Sequence, residues 1–455
     1  MIQPRPLKIL RIDSRRENVH EAMSRLRRQL SPQGDVVSQH GRRRTMEIFG
    51  EPLTPLQVVR KICHDVQQQG LAAVLDYSLR IDNAPLTPET LRVPQRELAK
   101  AHAPANPEFL ETVRRVRQQI REFQEAILHH DVRVERPGGY LRERYRPLDR
   151  VGLCVPGGAA AYPSTVLMTA VPAQVAGVKE IALAVPPQRG TGEIAPIILA
   201  AAALIGVDEV YAMGGAQAIG ALAYGTESIP AVDKIFGPGN LFVTLAKKQV
   251  FGVVGIDGLA GPTETVVVAD EFARPAWVAA DLLAQAEHDV LASAILLTPS
   301  QKLAEAVQVE VGRQMETLPR AEIVAQSLKD RSGIVVTQDL AEAVELSNAY
   351  GPEHLCLAVQ NPWAWSEKVM SAGGIFMGEY SFEVLGDYIA GPSHVMPTSG
   401  TARFASPLNV WDFVHIISLI ALDESVGQEL SKSAALIARS EGLEAHARAA
   451  DQRAL

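Results

Sequence analysis

The first 150 residues carry the hydrophobic pattern of amphipathic helices. Apolar residues recur at helical spacing in one early stretch, which contains Val58, Ile62, Val66, Leu71, Val74 and Leu75. The same spacing returns between Pro107 and His130, where one stripe holds Phe109, Val113, Val116, Ile120 and Phe123. Because one face of an α-helix repeats with this period, the pattern predicts helices that bury one side.

From Arg150 the pattern changes to short β-branched runs separated by alanine-rich stretches. The predicted strands are Val151 to Val155, Glu180 to Val185, Glu209 to Ala212, Thr265 to Ala269, Ala294 to Leu297, Gly333 to Val336 and Leu355 to Val359. Such alternation is typical of βαβ units on a mostly parallel sheet. One sheet would need unusually many strands, so two sheets are expected. From about Pro407 the chain is predicted to be helical again, with amphipathic helices between Glu424 and Asp451.

The composition is that of a folded chain with more than one domain. The chain has 455 residues, of which 47% are hydrophobic and 21% are charged. These fractions exclude an intrinsically disordered chain, which needs low hydrophobicity and high net charge. The length also exceeds what a single hydrophobic core supports. The sequence therefore predicts an α/β protein with two parallel-type sheets and helical ends.

Charge and cysteine content narrow the partners and the compartment. A net charge of −8 provides no general basic field for nucleic acid. The longest apolar run, Ile197 to Val207, is too short to span a membrane. The first thirty residues lack the apolar core of a secretory signal, and their interspersed acids argue against a transit peptide. With three cysteines there is no disulfide framework, so a cytoplasmic protein without nucleic-acid or membrane partners is expected.

Glycine-rich turns follow several predicted strands, where α/β sheets usually bind their ligands. Three of them are Val155 to Gly158, Gly214 to Gln217 and Gly237 to Asn240. A fourth segment, Gly190 to Ala195, matches the spacing of a dinucleotide-binding fingerprint. The prolines that precede it favour a surface turn instead. Each turn alone is a weak signal.

Candidate metal ligands occur at separate places in the sequence. Gln285 and His288 stand three residues apart in a helix predicted from Trp277 to His288, so they share a face and could bind one ion. Such a pair is more often a surface helix end than a metal site. Asp387 and His446 are further candidates, but sequence distance does not show whether they meet in space.

Candidate proton acceptors stand beside a predicted strand. Glu353 and His354 directly precede Leu355, and their ordinary pKa values are about 4.3 and 6.5. On the residues alone a solvated loop is favoured for this pair, and His394 is similar. Cys154 ends an apolar strand with no base beside it, which argues against a thiol nucleophile.

Taken together, these segments resemble histidinol dehydrogenases, the zinc enzymes that complete histidine biosynthesis. The strings that carry the resemblance are FGPGN, GPTE, QAEHD, GPEHL, GDY, HVMPT and EGLEAH, which occur in this order. The resemblance runs from about Arg150 to the end of the chain, and the N-terminal third matches only in general character. Seven such strings in a fixed order are highly specific.

The resemblance implies an NAD-dependent, four-electron oxidation of L-histidinol to L-histidine through a bound aldehyde. It implies one Zn²⁺ ion per subunit, with the ligands Gln285, His288, Asp387 and His446. The implied catalytic residues are His354, which takes the hydroxyl proton, and Glu353, which activates water for attack on the aldehyde. The implied substrate contacts are Thr263, Gln285, His288, His354, Asp387, His394, Glu441 and His446.

The resemblance also implies a cofactor site and a homodimer with shared active sites. Gln217 and Asn240 match NAD-contacting positions of the family, and Cys154 stands at a third position where many members carry Tyr. The C-terminal segment is expected to cross to the partner, so Glu441 and His446 would complete the other subunit's site. At Thr263 some members have Ser, and the hydroxyl is kept.

The expected architecture is two Rossmann-like α/β domains with parallel-type sheets, plus helical N- and C-terminal segments. The expected ranges are 1–44 for an N-terminal helical arm, 45–152 with 264–405 for a discontinuous larger domain, 153–263 for an inserted domain and 406–455 for a C-terminal helical segment.

Three other functions are weighed against this one. A paralogous zinc and NAD dehydrogenase would oxidise another polar alcohol, such as a sulfonated diol, but Glu441 suits an ammonium group and repels an anion. A zinc hydrolase with Glu353 as its base would need no NAD. A non-catalytic binding protein fits the fold alone, yet it leaves the set of acid, base and ligand candidates unexplained.

Overall fold

The computed structural model describes residues 9–30, 39–157 and 161–454. The helices are α1 Val19–Leu30, α2 Gln39–Phe49, α3 Pro55–Gln69, α4 Leu71–Asp82, α5 Pro88–Leu91, α6 Gln95–His102, α7 Pro107–Ile127, α8 Pro163–Ala176, α9 Pro196–Ile205, α10 Gly215–Tyr224, α11 Leu241–Val250, α12 Pro275–Ala286, α13 Gln301–Met315, α14 Ala321–Asp330, α15 Leu340–Tyr350, α16 Pro362–Ser366, α17 Glu383–Tyr388, α18 Glu424–Ser440 and α19 Glu444–Asp451. Among them none has both the length and the apolar character needed to cross a bilayer.

Three sheets organise the described part of the chain. Their strands are β1 Leu10–Asp13, β2 Val132–Arg136, β3 Gly139–Pro147, β4 Arg150–Cys154, β5 Glu180–Ala184, β6 Glu209–Tyr211, β7 Lys234–Phe236, β8 Gly255–Ile256, β9 Glu264–Ala269, β10 Ser293–Thr298, β11 Gly333–Val336, β12 His354–Ala358, β13 Gly374–Met377 and β14 Val414–Leu422. Six strands form one sheet in the order β1-β11-β10-β9-β12-β13, and five form another in the order β6-β5-β4-β7-β8. All pairs in these two sheets are parallel, which confirms the predicted fold class.

The central strands of the six-stranded sheet are apolar because helices cover both faces. Every residue of β9, β10 and β12 is buried, and core clusters lie on either side of the sheet. This is the continuous hydrophobic pattern expected of a parallel sheet covered on both sides. The register pairs His354 of β12 with Thr265 of β9. The residues that precede these two, Glu353 and Glu264, therefore lie side by side.

The third sheet corrects the expectation of purely helical chain ends. It is antiparallel, with the order β14-β3-β2, and β14 pairs with β3 along its whole length. The segment 406–455 was expected to be helical, which is right for α18 and α19 but wrong for β14. Residues 414–422 are rich in Val, Ile and Leu, and their pairing with a strand more than 260 positions away is a non-local contact that a helical reading of the chain end misses.

The N-terminal helices divide between the two parallel sheets. Helix α1 buries Val19, Met23 and Leu26 in a core with residues of the six-stranded sheet. Helix α3 buries Ile62 and Val66 in a core with residues of the five-stranded sheet. The predicted division places α3 in the larger domain, with the other sheet, and that division stays a prediction.

Candidate active site

A cavity of about 1090 Å³ collects most of the site residues predicted from the sequence. The predicted residues that line it are Asn240, Thr263, His288, Glu353, His354, Asp387 and His394. In the five-stranded sheet the cavity is lined by loops after β4 and β7, at the carboxyl ends of those strands. In the six-stranded sheet it is lined by residues at the amino ends of β9 and β12. Its volume suits a polar small molecule together with part of a cofactor.

Glu353 is held in place just before β12 by two hydrogen bonds. The hydroxyl of Thr263 donates to Glu353 Oε2 at 2.6 Å, and the backbone N–H of Glu264 donates to the same oxygen at 3.1 Å. Burial raises the pKa of Glu353 to about 7, although His354 and the Thr263 hydroxyl oppose the shift. A carboxylate with a pKa near neutrality is well matched to act as a general base.

His354, the first residue of β12, lies among carboxylates. Its Nδ1 lies 3.4 Å from the backbone oxygen of Glu264, and its Nε2 lies 3.3 Å from Oδ1 of Asp387. Burial lowers the pKa of His354, but Glu383, Glu353 and Asp387 outweigh it and raise the pKa to about 10. A divalent cation beside Asp387 would oppose that shift, because a bound ion is usually the largest local charge.

The residues present fit a metal ion at the Asp387 end of the cavity. Gln285 Nε2 donates to the Thr263 hydroxyl at 2.9 Å, whereas Gln285 Oε1 is buried and has no hydrogen-bond partner within the described residues. A buried amide oxygen without a partner is costly, and metal coordination would satisfy it. His288 and Asp387 line the same cavity. An amide oxygen, an imidazole and a carboxylate together form a donor set that suits zinc.

His288 does not lie on the predicted helix. The expected helix ran to His288, but α12 ends at Ala286, and the N–H of His288 donates to the carbonyl of Gln285 at 3.3 Å. Gln285 therefore points from the last turn of the helix, and His288 follows in the turn after it. His288 lines the cavity, whereas Gln285 is not among the lining residues and is connected to the site through the Thr263 hydroxyl.

Glu383 is a buried acid of the site to which the sequence assigned no role. The ligand atoms of His354, Glu383 and Asp387 lie within 4.8 Å of one another. Glu383 accepts a hydrogen bond from the Thr265 hydroxyl, and burial raises its pKa to about 7. The available signal was its position four residues before Asp387, which puts both carboxylates on one face of α17.

The ring nitrogens of His394 lie near a backbone carbonyl oxygen and a hydroxyl group, not near a carboxylate. Its Nδ1 lies 2.7 Å from the backbone oxygen of Asp387, and its Nε2 lies 3.3 Å from the hydroxyl of Thr165. Burial lowers the pKa of His394, although Asp387 opposes the shift. Because a carbonyl oxygen only accepts, Nδ1 carries the proton of the neutral ring, and Nε2 is left to accept a hydrogen bond from a hydroxyl or a polar ligand.

The three predicted cofactor positions differ in their surroundings. Asn240 lines the cavity and caps α11, where its side-chain oxygen accepts from the N–H groups of Phe242 and Val243. Gln217 is 1% exposed, is not part of the cavity wall and donates to Asp82 at 2.8 Å. Cys154 is also absent from the wall, and burial raises the pKa of its thiol to about 12. In the described chain only Asn240 reaches the cavity.

The C-terminal site candidates lie apart from the cavity of the single chain. Glu441 caps the end of α18 and His446 lies on α19, and both are exposed and absent from the cavity wall. The segment Gly190 to Ala195 also lies elsewhere, as a turn followed by a short loop before α9.

A comparison with models of protein families shows which family the chain resembles. The family model described as histidinol dehydrogenase matches residues 53–454. The chain belongs to the histidinol dehydrogenase family. The membership confirms the predicted resemblance and extends it into the N-terminal third, well before Arg150. Members of this family are NAD-dependent oxidoreductases of histidine biosynthesis, so the predicted enzyme class is confirmed as well.

Individual histidinol dehydrogenases match the chain over nearly its whole length. The protein of Rhodopirellula baltica is 49% identical over 429 residues, covering 94% of this chain and 93% of its own. The protein of Moorella thermoacetica is 53% identical over 396 residues, with coverages of 87% and 93%. A crystal structure of histidinol dehydrogenase from Elizabethkingia anophelis is 34% identical, covers 98% of both chains and superposes with a TM-score of 0.87.

Proposed function

We propose that the chain catalyses the NAD-dependent, four-electron oxidation of L-histidinol to L-histidine through L-histidinaldehyde, with Glu353 and His354 as proton acceptors. The observation that carries the proposal is the buried Glu353 carboxylate, which Thr263 and Glu264 hold beside His354 at the wall of the cavity. Family membership supplies the reaction, and this geometry supplies the groups that can perform it.

We infer that the site holds one Zn²⁺ ion per subunit, bound by Gln285, His288, Asp387 and His446. The buried Gln285 Oε1 without a partner among the described residues, and the position of His288 and Asp387 in the wall of one cavity, support this assignment. When bound, zinc supplies a positive charge that orients the imidazole and amine of the substrate. His446 is exposed and is not among the residues that line the cavity, so it would come from a partner subunit.

The chain's own residues divide the proton transfers of the two oxidations. Alcohol oxidation releases a hydride and the hydroxyl proton, and His354 in its neutral form, which a cation bound beside Asp387 would favour, accepts that proton at the cavity wall. Aldehyde oxidation consumes water and releases a second hydride. Glu353 accepts the proton of that water at its carboxylate, because its pKa near 7 makes the ionised form available at neutral pH. When bound, NAD would supply the hydride acceptor for each oxidation.

Thr263 and His394 are proposed to contact the substrate inside the cavity. Both line its wall, and both carry polar atoms that already take part in hydrogen bonds there. Glu441 is proposed to pair with the ammonium group of the substrate from the partner subunit. Its carboxylate is exposed in the single chain and therefore open to such a pairing.

We propose a homodimer in which the C-terminal segment crosses to the partner. The described C-terminal elements expose a run of large apolar side chains, which are Ile416, Ile420, Leu430, Leu436, Ile437 and Leu443. So many exposed large apolar side chains in one segment favour a protein interface there. Crossing would also carry Glu441 and His446 to the other subunit's cavity.

NAD is proposed to bind near the turn that Asn240 ends, which forms part of the cavity wall. Gln217 lies in the first turn of α10, and its side-chain amide donates a hydrogen bond to Asp82, so its contact with NAD requires that this hydrogen bond be exchanged. Cys154 would contact NAD through its backbone rather than through its buried thiol.

A substrate panel tests the reaction against its alternatives. The purified, zinc-loaded protein is assayed by NADH absorbance with L-histidinol and with sulfonated diols, and by product analysis with and without NAD. We expect NADH and L-histidine from histidinol only. Preference for a sulfonated diol would favour the paralogous dehydrogenase, and product formation without NAD would favour a zinc hydrolase.

A further inference from the structure

Arg27 of helix α1 contacts residues that adjoin Glu353 and His354, the proposed catalytic pair. The helix packs on the six-stranded sheet through Val19, Met23 and Leu26. This packing leaves the Arg27 side chain only 17% exposed. A long cationic side chain that is so deeply buried needs several partners, because desolvation of its charge is costly.

The Arg27 guanidinium has partners on two different segments. Its Nη1 donates to Glu264 Oε2 at 2.5 Å. Its Nη2 donates to the backbone oxygen of Tyr350 and, at 3.3 Å, to that of Gly351. The guanidinium carbon also lies 3.6 Å from the centre of the Tyr350 ring, a cation–π arrangement. The two terminal nitrogens of one guanidinium therefore connect the start of β9 to the end of α15.

The carbonyl groups that Arg27 binds belong to the turn that leads to the catalytic pair. Helix α15 ends at Tyr350, and Gly351 follows with a positive φ of 58°. The last carbonyls of a helix lack partners within the helix and carry its negative dipole end. The Arg27 guanidinium donates hydrogen bonds to two of these carbonyls, and its positive charge is favourable at the negative end of the helix dipole. Glu353 lies only two residues beyond Gly351, so the position of this turn sets the position of the base.

Glu264 is the other partner of Arg27, and its backbone touches both catalytic side chains. Its N–H donates to Glu353 Oε2 at 3.1 Å, and its carbonyl oxygen lies 3.4 Å from His354 Nδ1. Its own carboxylate is fully buried. Burial raises the pKa of Glu264, and the Arg27 charge opposes that rise. Without Arg27 this carboxylate would be a buried charge that has lost its only basic partner among the described ion pairs.

We propose that Arg27 is a positioning residue for Glu353 and His354, acting through Glu264 and the carbonyls of Tyr350 and Gly351. The inference rests on the proposed roles of the catalytic pair. It gives the N-terminal segment a part in catalysis, although Arg27 precedes residues 53–454 that the family model matches. Arg27 touches neither the cavity wall nor the proposed zinc ligands.

The test compares Arg27→Gln and Arg27→Lys with Arg28→Gln, a matched control on the next, exposed position of α1. Each variant is loaded with zinc, checked for folding by circular dichroism, and assayed for histidinol and for aldehyde oxidation. For Arg27→Gln we expect kcat of aldehyde oxidation to fall about 10- to 100-fold, since small displacements of catalytic groups cost this much. The KM values for both substrates should stay within about threefold. Arg27→Lys keeps the charge but not the fork, so its loss should be smaller.

A double variant separates positioning from general stability. In Arg27→Gln with Glu264→Gln, the buried carboxylate and its counter-charge are removed together. We expect the double variant to recover part of the kcat that Arg27→Gln alone loses, because no uncompensated charge remains behind Glu353.

Two results would overturn the inference. One is an unchanged kcat for folded Arg27→Gln, or for folded Arg27→Lys if the glutamine variant does not fold. The other is an equal loss in both half-reactions that follows the folded fraction, which is what a purely structural role produces. Failure of the wild type and of Arg28→Gln to oxidise histidinol would instead contradict the proposed function, and the inference would fall with it.

Discussion

The Thr263 hydroxyl donates a 2.6 Å hydrogen bond to Oε2 of Glu353, and the same hydroxyl accepts a bond from Gln285 Nε2 at 2.9 Å. One oxygen therefore connects the proposed base to a proposed zinc ligand. Because Gln285 Nε2 donates to Thr263, Gln285 Oε1 is the atom left to bind the proposed zinc ion. A single side chain thus contacts both the proposed base and a proposed zinc ligand.

Thr263→Val tests this link. The variant keeps the shape of the side chain but removes the hydroxyl, so Glu353 loses one hydrogen bond and Gln285 Nε2 loses its acceptor. We expect kcat to fall about tenfold or more, with weaker zinc retention, as measured by steady-state kinetics and elemental analysis. Thr263→Ser is the control, since it keeps the hydroxyl. Equal activity of the valine and serine variants would show that the link is not needed.

Glu353→Gln tests the division of labour between the two proton acceptors. Only aldehyde oxidation consumes water, so we expect that half-reaction to slow by about 10²- to 10⁴-fold, whereas alcohol oxidation slows much less. Single-turnover NADH formation from histidinol and from added histidinaldehyde measures the two separately. Glu345→Gln, an exposed acid on α15, is the control. Equal losses in both half-reactions would contradict the assigned roles.

Gln285→Leu tests the proposed zinc set. Leucine fills nearly the same volume but offers no ligand atom, so we expect at least about a tenfold loss of zinc affinity. Zinc per chain is measured by elemental analysis after dialysis against a graded series of chelator concentrations. Gln301→Leu, at an exposed position of α13, should bind zinc like the wild type. Wild-type retention by Gln285→Leu would remove Gln285 from the set.

Mixed dimers test whether the active site is shared between subunits. His446→Ala is unfolded and refolded in equal amount with a double variant, Glu353→Gln with His354→Gln. Half of the resulting dimers are heterodimers with one complete site of two, so activity should approach about a quarter of the wild-type value. Each variant refolded alone serves as the control. No recovery in the mixture would place His446 in its own chain's site.

Local sequence patterns were sufficient for most of the parallel sheets. The β-branched run that predicted Val151 to Val155 is β4 at Arg150–Cys154, and Gly333 to Val336 is β11 without any shift. The adjacency of Glu353 and His354 was visible because the two residues are neighbours in the chain. Their surroundings were not, since Thr263 and Glu264 lie about 90 positions away in sequence.

The remaining features depend on contacts between distant segments. Strand β14 forms only against β3, so an isolated reading of residues 406–455 favoured helix throughout. Glu383 received no role from the sequence, because its burial beside His354 is a tertiary contact. Arg27 meets Glu264 across 237 positions, and no periodicity predicts such a pair. Local pattern gives the elements, whereas long-range charge pairing is decided by tertiary packing.

The most direct test of the account is the NADH yield from limiting L-histidinol, measured before zinc removal, after chelation and after zinc is restored. The account predicts two NADH for each histidinol, loss of NADH formation on chelation and its recovery with zinc. One NADH for each histidinol would mean that the aldehyde escapes and that Glu353 does not act as assigned. No NADH from the folded, zinc-loaded protein would contradict the account as a whole.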